Sequence, residues 1–272
     1  MKVAIYIGKE TYAADPRFAA LVDGLSAGGC VTYRVSTASE LAKDTDMLLS
    51  VGGDGTFLSA SAVVADSGIP VAGVNLGRMG FLSENRPEDL VQALLSEDYT
   101  IENRAMLNVR PAGSAVLPDE CRQALNEMAV HRNGPSVLEV QVMIDGICLP
   151  SYWADGLIIS TSSGSTAYSL SVGGPIVLPE AKVLIISPIA PHNLNVRPMV
   201  VPDTAEIHLR MTSRDGEFVF SSDNRSVILN SGIELDISVA QFSLRRVRLN
   251  RSNFINALTQ KLFWGEDVRN LK

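Results

Sequence analysis

The feature that most restricts how this chain folds is a change of hydrophobic periodicity near Ile101. Before it, short apolar runs alternate with stretches whose apolar residues recur at helical spacing, the pattern of βαβ units around a buried, mostly parallel sheet. Strands are predicted at Val3 to Ile7, Met47 to Val51 and Ile69 to Val74. A helix is predicted over Pro16 to Leu25, with Phe18, Leu21, Val22 and Leu25 on one face and Gly28-Gly29 as its stop; others cover Phe57 to Ala65 and Pro87 to Leu95. After Ile101, period-two alternation takes over. Leu138 to Ile144 alternates apolar and polar positions up to an Asp145-Gly146 hairpin turn and Ile147 to Leu149, and Ala205, Ile207, Leu209 and Met211 oppose Glu206, His208 and Arg210. Leu157 to Ser160, Val183 to Ser187, Glu217 to Phe220 and Ile233 to Val239 are further strands, and Ser252 to Phe263, with Phe254, Ile255, Leu258 and Leu262, is a helix that packs back. The expected fold is α/β plus β-rich: a Rossmann-like doubly wound domain over 1–103, a β-sandwich-like domain over 104–249, and 250–272 returning to the first.

Composition narrows the class of partner. The 272 residues are 46% hydrophobic and 19% charged, which is enough to bury a sizeable core. A formal charge of −7 gives no global field for a polyanion, so no nucleic acid is expected as a non-specific partner. Cys30, Cys121 and Cys148 lie far apart and form no CxxC pair, as expected in a reducing cytoplasm. The apolar run from Met1 to Ile7 is too short for a signal segment or a membrane span, so no membrane is expected as a partner and the location expected is cytoplasmic.

The most informative stretch is Gly52-Gly53-Asp54-Gly55-Thr56, between the strand at Met47 to Val51 and a helical segment. Glycines let a backbone approach a phosphate and turn its N–H groups towards it, and a helix start adds a positive dipole end. A carboxylate among them does not help bind phosphate, so Asp54 reads as a base, a magnesium-side group or a hydroxyl acceptor. The plain alternative is a strand-to-helix turn capped by Asp54 or Thr56.

GGDGT after a strand resembles the motif of the NAD kinases and, in looser forms, of the diacylglycerol, sphingosine and 6-phosphofructokinases. The second half chooses among them. Asp155 to Thr161 followed by Ser163 to Ser171 resembles the glycine-rich segment of the NAD kinases, and Asn126-Glu127 stands where that family has its Asn-Glu pair. Asn75 to Leu82, Gly173 to Ile176 and Pro188 to His192 match in the same order, so the resemblance covers Val51 to about Val201 directly. It implies transfer of the γ-phosphate of ATP to the 2′-hydroxyl of the adenosine ribose of NAD, making NADP.

The resemblance implies roles residue by residue. Asp54 is the proton acceptor; Gly52, Gly53, Gly55 and Thr56 offer N–H groups and a hydroxyl to the phosphates of ATP, with Mg2+ or another divalent cation carried chiefly by the nucleotide. Contacts to NAD fall to Asp54, Gly55, Phe81, Asn126, Glu127, Asp155, Ser163, Thr166, Ala167, Tyr168, Ser169, Leu170, Ser171 and Ala190. It also implies a homo-oligomer, commonly a tetramer, in which a neighbouring chain completes the site.

Each has a plainer reading: a strand end for Asn126-Glu127, a Ser/Thr loop capped by Ser165 or Thr166, and core packing for Phe81. The chain departs from the family at Ser162, where proline is usual, at Asn193 and Asn195, where many relatives have serine, and at Asp223-Asn224, where Asp-Gly is common. His131, His192 and His208 form no HExxH pattern, so no metal site is expected; His192 reads as a structural hydrogen-bonding group and His208 as part of a polar strand face. Arg245, Arg246, Arg248 and Arg251 form a basic run that could attract a nucleotide phosphate but more often is solvated or at a subunit contact, and no catalytic role is assigned to it. A GGDGT lipid kinase, which would need an apolar acceptor pocket and against which the Asn-Glu and Gly-Ser-Thr-Ala-Tyr motifs speak, and a nucleotide-binding regulator without catalysis are the alternatives. A Rossmann dehydrogenase is weaker, since no GxGxxG follows the first strand.

Overall fold

Strands covered on both faces can be apolar throughout, and Met47–Val51 and Val71–Val74 are buried at every position. They lie at the centre of the first of two compact units, Met1–Asn103 with Leu244–Lys272, in a computed structural model that describes residues 1–77, 80–113, 115–250 and 253–262. This unit contains β1 (Lys2–Ile7), α1 (Glu10–Ala13), α2 (Pro16–Ala27), β2 (Val31–Arg34), β3 (Met47–Val51), α3 (Asp54–Val64), β4 (Val71–Val74) and α4 (Pro87–Leu95). The strand order is β2-β1-β3-β4 with every pair parallel, and Arg246, late in the chain, pairs with Val71 in the same sense. β1 has β2 on one side and β3 on the other. The carboxyl ends of β1 and β3 therefore form the switch point at which open α/β sheets bind ligands, and Gly52 to Thr56 follows β3 there.

Helix ends follow the sequence. Pro16 opens α2 behind Asp15, whose side chain accepts the Arg17 N–H at 2.9 Å, and Gly28 with Gly29 (φ 78°) ends it. Phe18, Leu21 and Leu25 of α2 and Leu90, Ala93 and Leu94 of α4 join the strands in one core, with Val247 and Leu249. The helix expected from Phe57 begins three residues earlier, at Asp54. Gly52 (φ 152°) makes the bend and Gly53 is the N-cap, so Asp54, Gly55 and Thr56 form the first helical turn. β2 escapes the sequence reading because Val-Thr-Tyr-Arg has little apolar content and its Val31 is exposed.

The C-terminal helix spans Phe254–Leu262; Ser252 and Phe263 lie outside the described residues. Its buried residues are Ala257 and Leu258, whereas Ile255 and Leu262, expected on the apolar face, are exposed. Phe254 still packs back onto the first unit, 6.1 Å from the Phe81 ring.

The second unit, Arg104–Ser243, is entered along β5 (Tyr99–Pro111). It continues through β6 (Gln123–Ala124), β7 (Glu127–Arg132), β8 (Leu138–Ile144), β9 (Ile147–Cys148), β10 (Tyr152–Ala154), β11 (Gly156–Thr161), β12 (Val183–Ile189), β13 (Met199–Pro202), β14 (Ile207–Thr212), β15 (Glu217–Ser222) and β16 (Arg225–Asn230), and is left along β17 (Glu234–Leu249). One antiparallel layer is ordered β13-β12-β11-β7-β15-β16, and the other runs β10-β8-β14-β17, with β5 beside β17. The core draws Leu138, Val140, Leu209 and Leu235 from one layer and Val130, Ile159, Ile186 and Phe220 from the other, a sandwich. On β14, Ile207, Leu209 and Met211 are buried while Arg210 is exposed. Asp145 (φ 49°) and Gly146 (φ 80°) make the hairpin turn with the left-handed backbone that the twist of paired strands requires. Cys30 and Cys121 are buried free thiols, and Cys148, on β9, is exposed.

Candidate functional site

In the first unit the chemistry gathers on the Gly52 to Thr56 turn. A Cβ at Gly52 would collide with the Thr56 side chain, as would one at Gly8, so the Thr56 hydroxyl is packed between two glycines. A Cβ at Gly53 or Gly55 would meet no heavy atom within 4 Å, which leaves their backbone approachable. The Asp54 side chain caps nothing in its own helix. Its Oδ2 accepts the Phe81 N–H at 2.7 Å, and its Oδ1 accepts those of Leu82 at 3.0 Å and Ser83 at 2.9 Å. Gly80 is glycine for a reason, since a Cβ there would overlap the Asp54 carboxylate. A carboxylate accepts about four hydrogen bonds, so this arrangement orients Asp54 and leaves one lone pair for a further proton.

The loop that supplies these N–H groups is anchored at both ends. Asn75 donates through Nδ2 to the Ser83 carbonyl at 3.0 Å, and Asn85 donates to the Gly73 carbonyl at 2.8 Å. Arg78 and Met79, inside the matching motif, lie outside the described residues. Phe81 is half-buried, with the Lys261 ammonium 4.4 Å from its ring centre. The basic run near the end of the chain departs from expectation. Arg246 is buried, paired with Glu84 at 2.6 Å and Glu102 at 3.2 Å; Arg248 pairs with Glu102 at 3.0 Å, and Arg245 donates to the Gly68 carbonyl. Arg251 lies outside the described residues.

In the second unit, Asn126 and Glu127 stand at the junction of β6 and β7. Their backbone is held from far along the chain: the Asp223 carboxylate accepts the N–H groups of Leu125 at 2.8 Å, Asn126 at 2.9 Å and Glu127 at 3.2 Å. Asp223 is fully enclosed, and Arg225 lies 3.4 Å from its carboxylate. The side chains of the pair are left for something else. Asn126 Oδ1 and Glu127 Oε2 are buried with no hydrogen-bond partner among the described residues. Burial, and then the Asp223 charge, push the Glu127 carboxyl up to about 8 against the pull of the Tyr168 N–H.

The pair register brings Ser160 of β11 beside Glu127 and Gly156 beside His131. A Cβ at Gly164 would strike the Asn126 carbonyl, so the Ser163 to Thr166 turn sits directly on the pair. Neither Ser165 nor Thr166 caps a helix there; the Ser165 hydroxyl exchanges hydrogen bonds with the Val177 backbone at 3.1 Å. Tyr168 lies over the row, its ring stacked on His131 at 5.6 Å. Burial, then the charges of Glu127 and Asp155, raise its phenol, which thus senses both carboxylates. Ser163, Thr166, Ala167 and Leu170 are partly exposed and Ser171 is exposed. Ser169 turns inward instead, buried against the Ser187 hydroxyl at 3.0 Å.

Asp155, before β11, pairs with Arg132 at 2.7 Å, and exposed Ala190 follows β12 with φ 45°. Where the family has proline, the Ser162 hydroxyl donates to the Ala181 carbonyl at 2.6 Å and ties the loop down another way. Asn193 accepts the Trp153 N–H at 3.2 Å, and the His192 N–H donates to the Trp153 carbonyl at 2.7 Å. His208 lies between Asp236 at 2.8 Å and Glu234 at 3.4 Å on the polar face of β14. Sequence reasoning missed Asp223, Arg246 and Lys261 as parts of these constellations. Asp223 was visible only as a turn residue and Lys261 only as a polar position on a helix.

The chain matches two family models, the ATP-NAD kinase N-terminal domain over residues 9–97 and the ATP-NAD kinase C-terminal domain over residues 125–249. It is 41% identical over 260 residues to an NAD kinase of Flavobacterium psychrophilum, covering 94% of this chain and 88% of that protein. It is 43% identical over 238 residues to an NAD kinase of Flavobacterium johnsoniae, covering 85% and 80%. Among solved structures, yeast NADH kinase complexed with NADH superimposes with a TM-score of 0.85 at 23% identity, over 100% of this chain and 90% of that one. An NAD kinase from Archaeoglobus fulgidus in complex with ATP gives 0.80 at 26% identity, over 97% and 99%. With identity above two fifths along most of its length and both domain models matched in order, the chain belongs to the NAD kinase family.

Proposed function

We propose that this protein transfers the γ-phosphate of ATP to the 2′-hydroxyl of the adenosine ribose of NAD, with Asp54 as the acceptor of the hydroxyl proton. The observation that carries this reading is the Asp54 carboxylate itself, fixed by three backbone N–H groups beside open glycine backbone at a sheet switch point. A ribose hydroxyl is a poor nucleophile, so a positioned acceptor and alignment supply most of what a protein adds to phosphoryl transfer.

The remaining roles follow the same reading. Gly53 and Gly55 receive the phosphates of ATP along their backbone and Thr56 through its hydroxyl; the N–H groups of Gly52 and Thr56, expected to join them, are given to the Val74 carbonyl at 2.9 Å and the Gly53 carbonyl at 3.0 Å. Asn126 and Glu127, with unpartnered buried oxygens, take donors of the dinucleotide, flanked by Asp155, Ser163 to Ser171 and Ala190. Residues 1–103 with 244–272 form the phosphate-handling domain and 104–243 the dinucleotide domain; the division falls after residue 243 rather than the expected 249, because Val247 and Leu249 pack in the first unit's core. The divalent cation, Mg2+ in the first instance, arrives on the nucleotide; among the described residues no group of three or more His, Cys, Asp or Glu is placed to hold a metal. We place the reaction in the cytoplasm on the spacing of the cysteines. No described helix is long and apolar enough to cross a membrane.

The test is NADP formation from NAD, ATP and Mg2+ by the purified protein, with Asp54→Asn alongside. The variant keeps the fold and much of the NAD binding, although its amide NH2 must face at least one of the N–H groups that the carboxylate accepts, and its turnover is expected to fall about 10²- to 10⁴-fold. Turnover near that of the parent would remove Asp54 as the proton acceptor. A folded protein that binds NAD but phosphorylates it with no donor would be a regulator instead.

A further inference from the structure

The Asp54 carboxylate is bonded to peptide groups that are themselves bonded to cations. The Gly80–Phe81 peptide unit gives its N–H to Asp54 Oδ2 at 2.7 Å, and its carbonyl accepts from the ammonium of Lys261. The next unit, Phe81–Leu82, gives its N–H to Asp54 Oδ1 at 3.0 Å, and its carbonyl accepts from the Arg246 guanidinium at 3.2 Å. Hydrogen bonds in series polarise one another and restrain the peptide planes, so each cation acts on the carboxylate through one peptide unit.

Lys261 is placed for this by its helix. It lies seven residues after Phe254, two turns along the same face, and both side chains close on Phe81, by ring contact at 6.1 Å and by ammonium over ring at 4.4 Å. Ala257 and Leu258 are buried between them. The charges acting on the ammonium are the carboxylates of Glu84 and Asp54, which favour it, and Arg246, which opposes it, with burial opposing it most. A lysine carried at that cost has a task beyond solubility. Arg246 is the worse probe of the two, since removing it would strip partly buried Glu84 of its ion pair and leave Glu102 with Arg248 alone.

We infer that Lys261 of the C-terminal helix is a positioning residue for Asp54, holding the Gly80–Phe81 peptide whose N–H fixes the carboxylate. The inference rests on Asp54 being the proton acceptor.

The experiment combines steady-state kinetics and amide NMR on the full chain, using Lys261→Met, Lys261→Arg and Asp54→Asn. Lys261→Met is expected to lower kcat about tenfold or more, with KM for NAD and for ATP within about twofold, because orientation is lost and binding is not. Lys261→Arg recovers most of that loss. The amide proton of Phe81 moves in Lys261→Met while that of Leu82, still tied to Arg246, moves less; a merely structural change would not sort the two. An unmoved Phe81 amide with unchanged kcat overturns the inference, and so does a raised KM for ATP at unchanged kcat, which would make Lys261 a phosphate ligand. If Lys261→Met does not fold, Lys261→Gln is read by the same criteria. Loss of turnover in Asp54→Asn with full turnover in Lys261→Met sinks this inference alone. Retained turnover in Asp54→Asn sinks the proton-acceptor reading and this inference with it.

Discussion

Glu127 combines burial with a neighbouring charge, and the combination has a sign that can be tested. Its carboxyl is pushed up to about 8 in the folded protein from an ordinary value of 4.5, so between those limits the folded chain holds a proton that the unfolded chain has released. Stability from this group is complete below about 4.5 and is lost as pH rises through about 8. Glu127→Gln carries no titrating proton there. The melting temperature of Glu127→Gln relative to the parent should therefore rise from pH 5 to pH 9, and a constant difference across that range would show that Glu127 ionises freely. The same two unpartnered oxygens, Asn126 Oδ1 and Glu127 Oε2, are what a bound dinucleotide would relieve.

At the scale of elements, the turn between β15 and β16 works as a clamp on the junction of β6 and β7. Asp223 reaches it with φ 51° and gives one oxygen to Leu125 and the other to Asn126 and Glu127. Asp223→Asn turns one of those oxygens into an amide that faces an N–H group. The expected cost is about 1–3 kcal/mol, seen as a lower urea midpoint, with KM for NAD raised by the loosened pair. An unchanged midpoint would show that the clamp contributes nothing.

None of this clamp could be read along the chain, because its partners are nearly a hundred residues apart and no spacing rule connects them. What the sequence did disclose was local. β3, α4 and β8 ran over their expected residues because continuous burial, a proline with acids at a helix start, and strict alternation each leave a mark within ten residues. Gly52 to Thr56 marked a candidate site by composition. The carboxylate inside it is held from residues 81–83, and the cations behind that loop come from positions 246 and 261, where the sequence offered only a basic run and an amphipathic helix.

For the whole molecule, the family resemblance predicts a homo-oligomer, in its commonest form a tetramer. Light scattering at working concentration should return a mass that is a multiple of 29.2 kDa, and a monomer mass would end that expectation. A sequence pI near 5.0 also places the solubility minimum well below neutral pH, so the measurement belongs at pH 7 or above.

The pairing of Val71 with Arg246 bears on how the protein is made. The first unit is begun at residue 1, but part of its core, Val247 and Leu249, arrives only after the 140 residues of Arg104–Ser243 have left the ribosome. At about 5–20 residues per second, the 175 residues from Val71 to Arg246 make β4 wait roughly 9–35 s for its last neighbour. During that interval the nascent chain carries a fully apolar strand with one open edge, and the domain started first is the domain finished last.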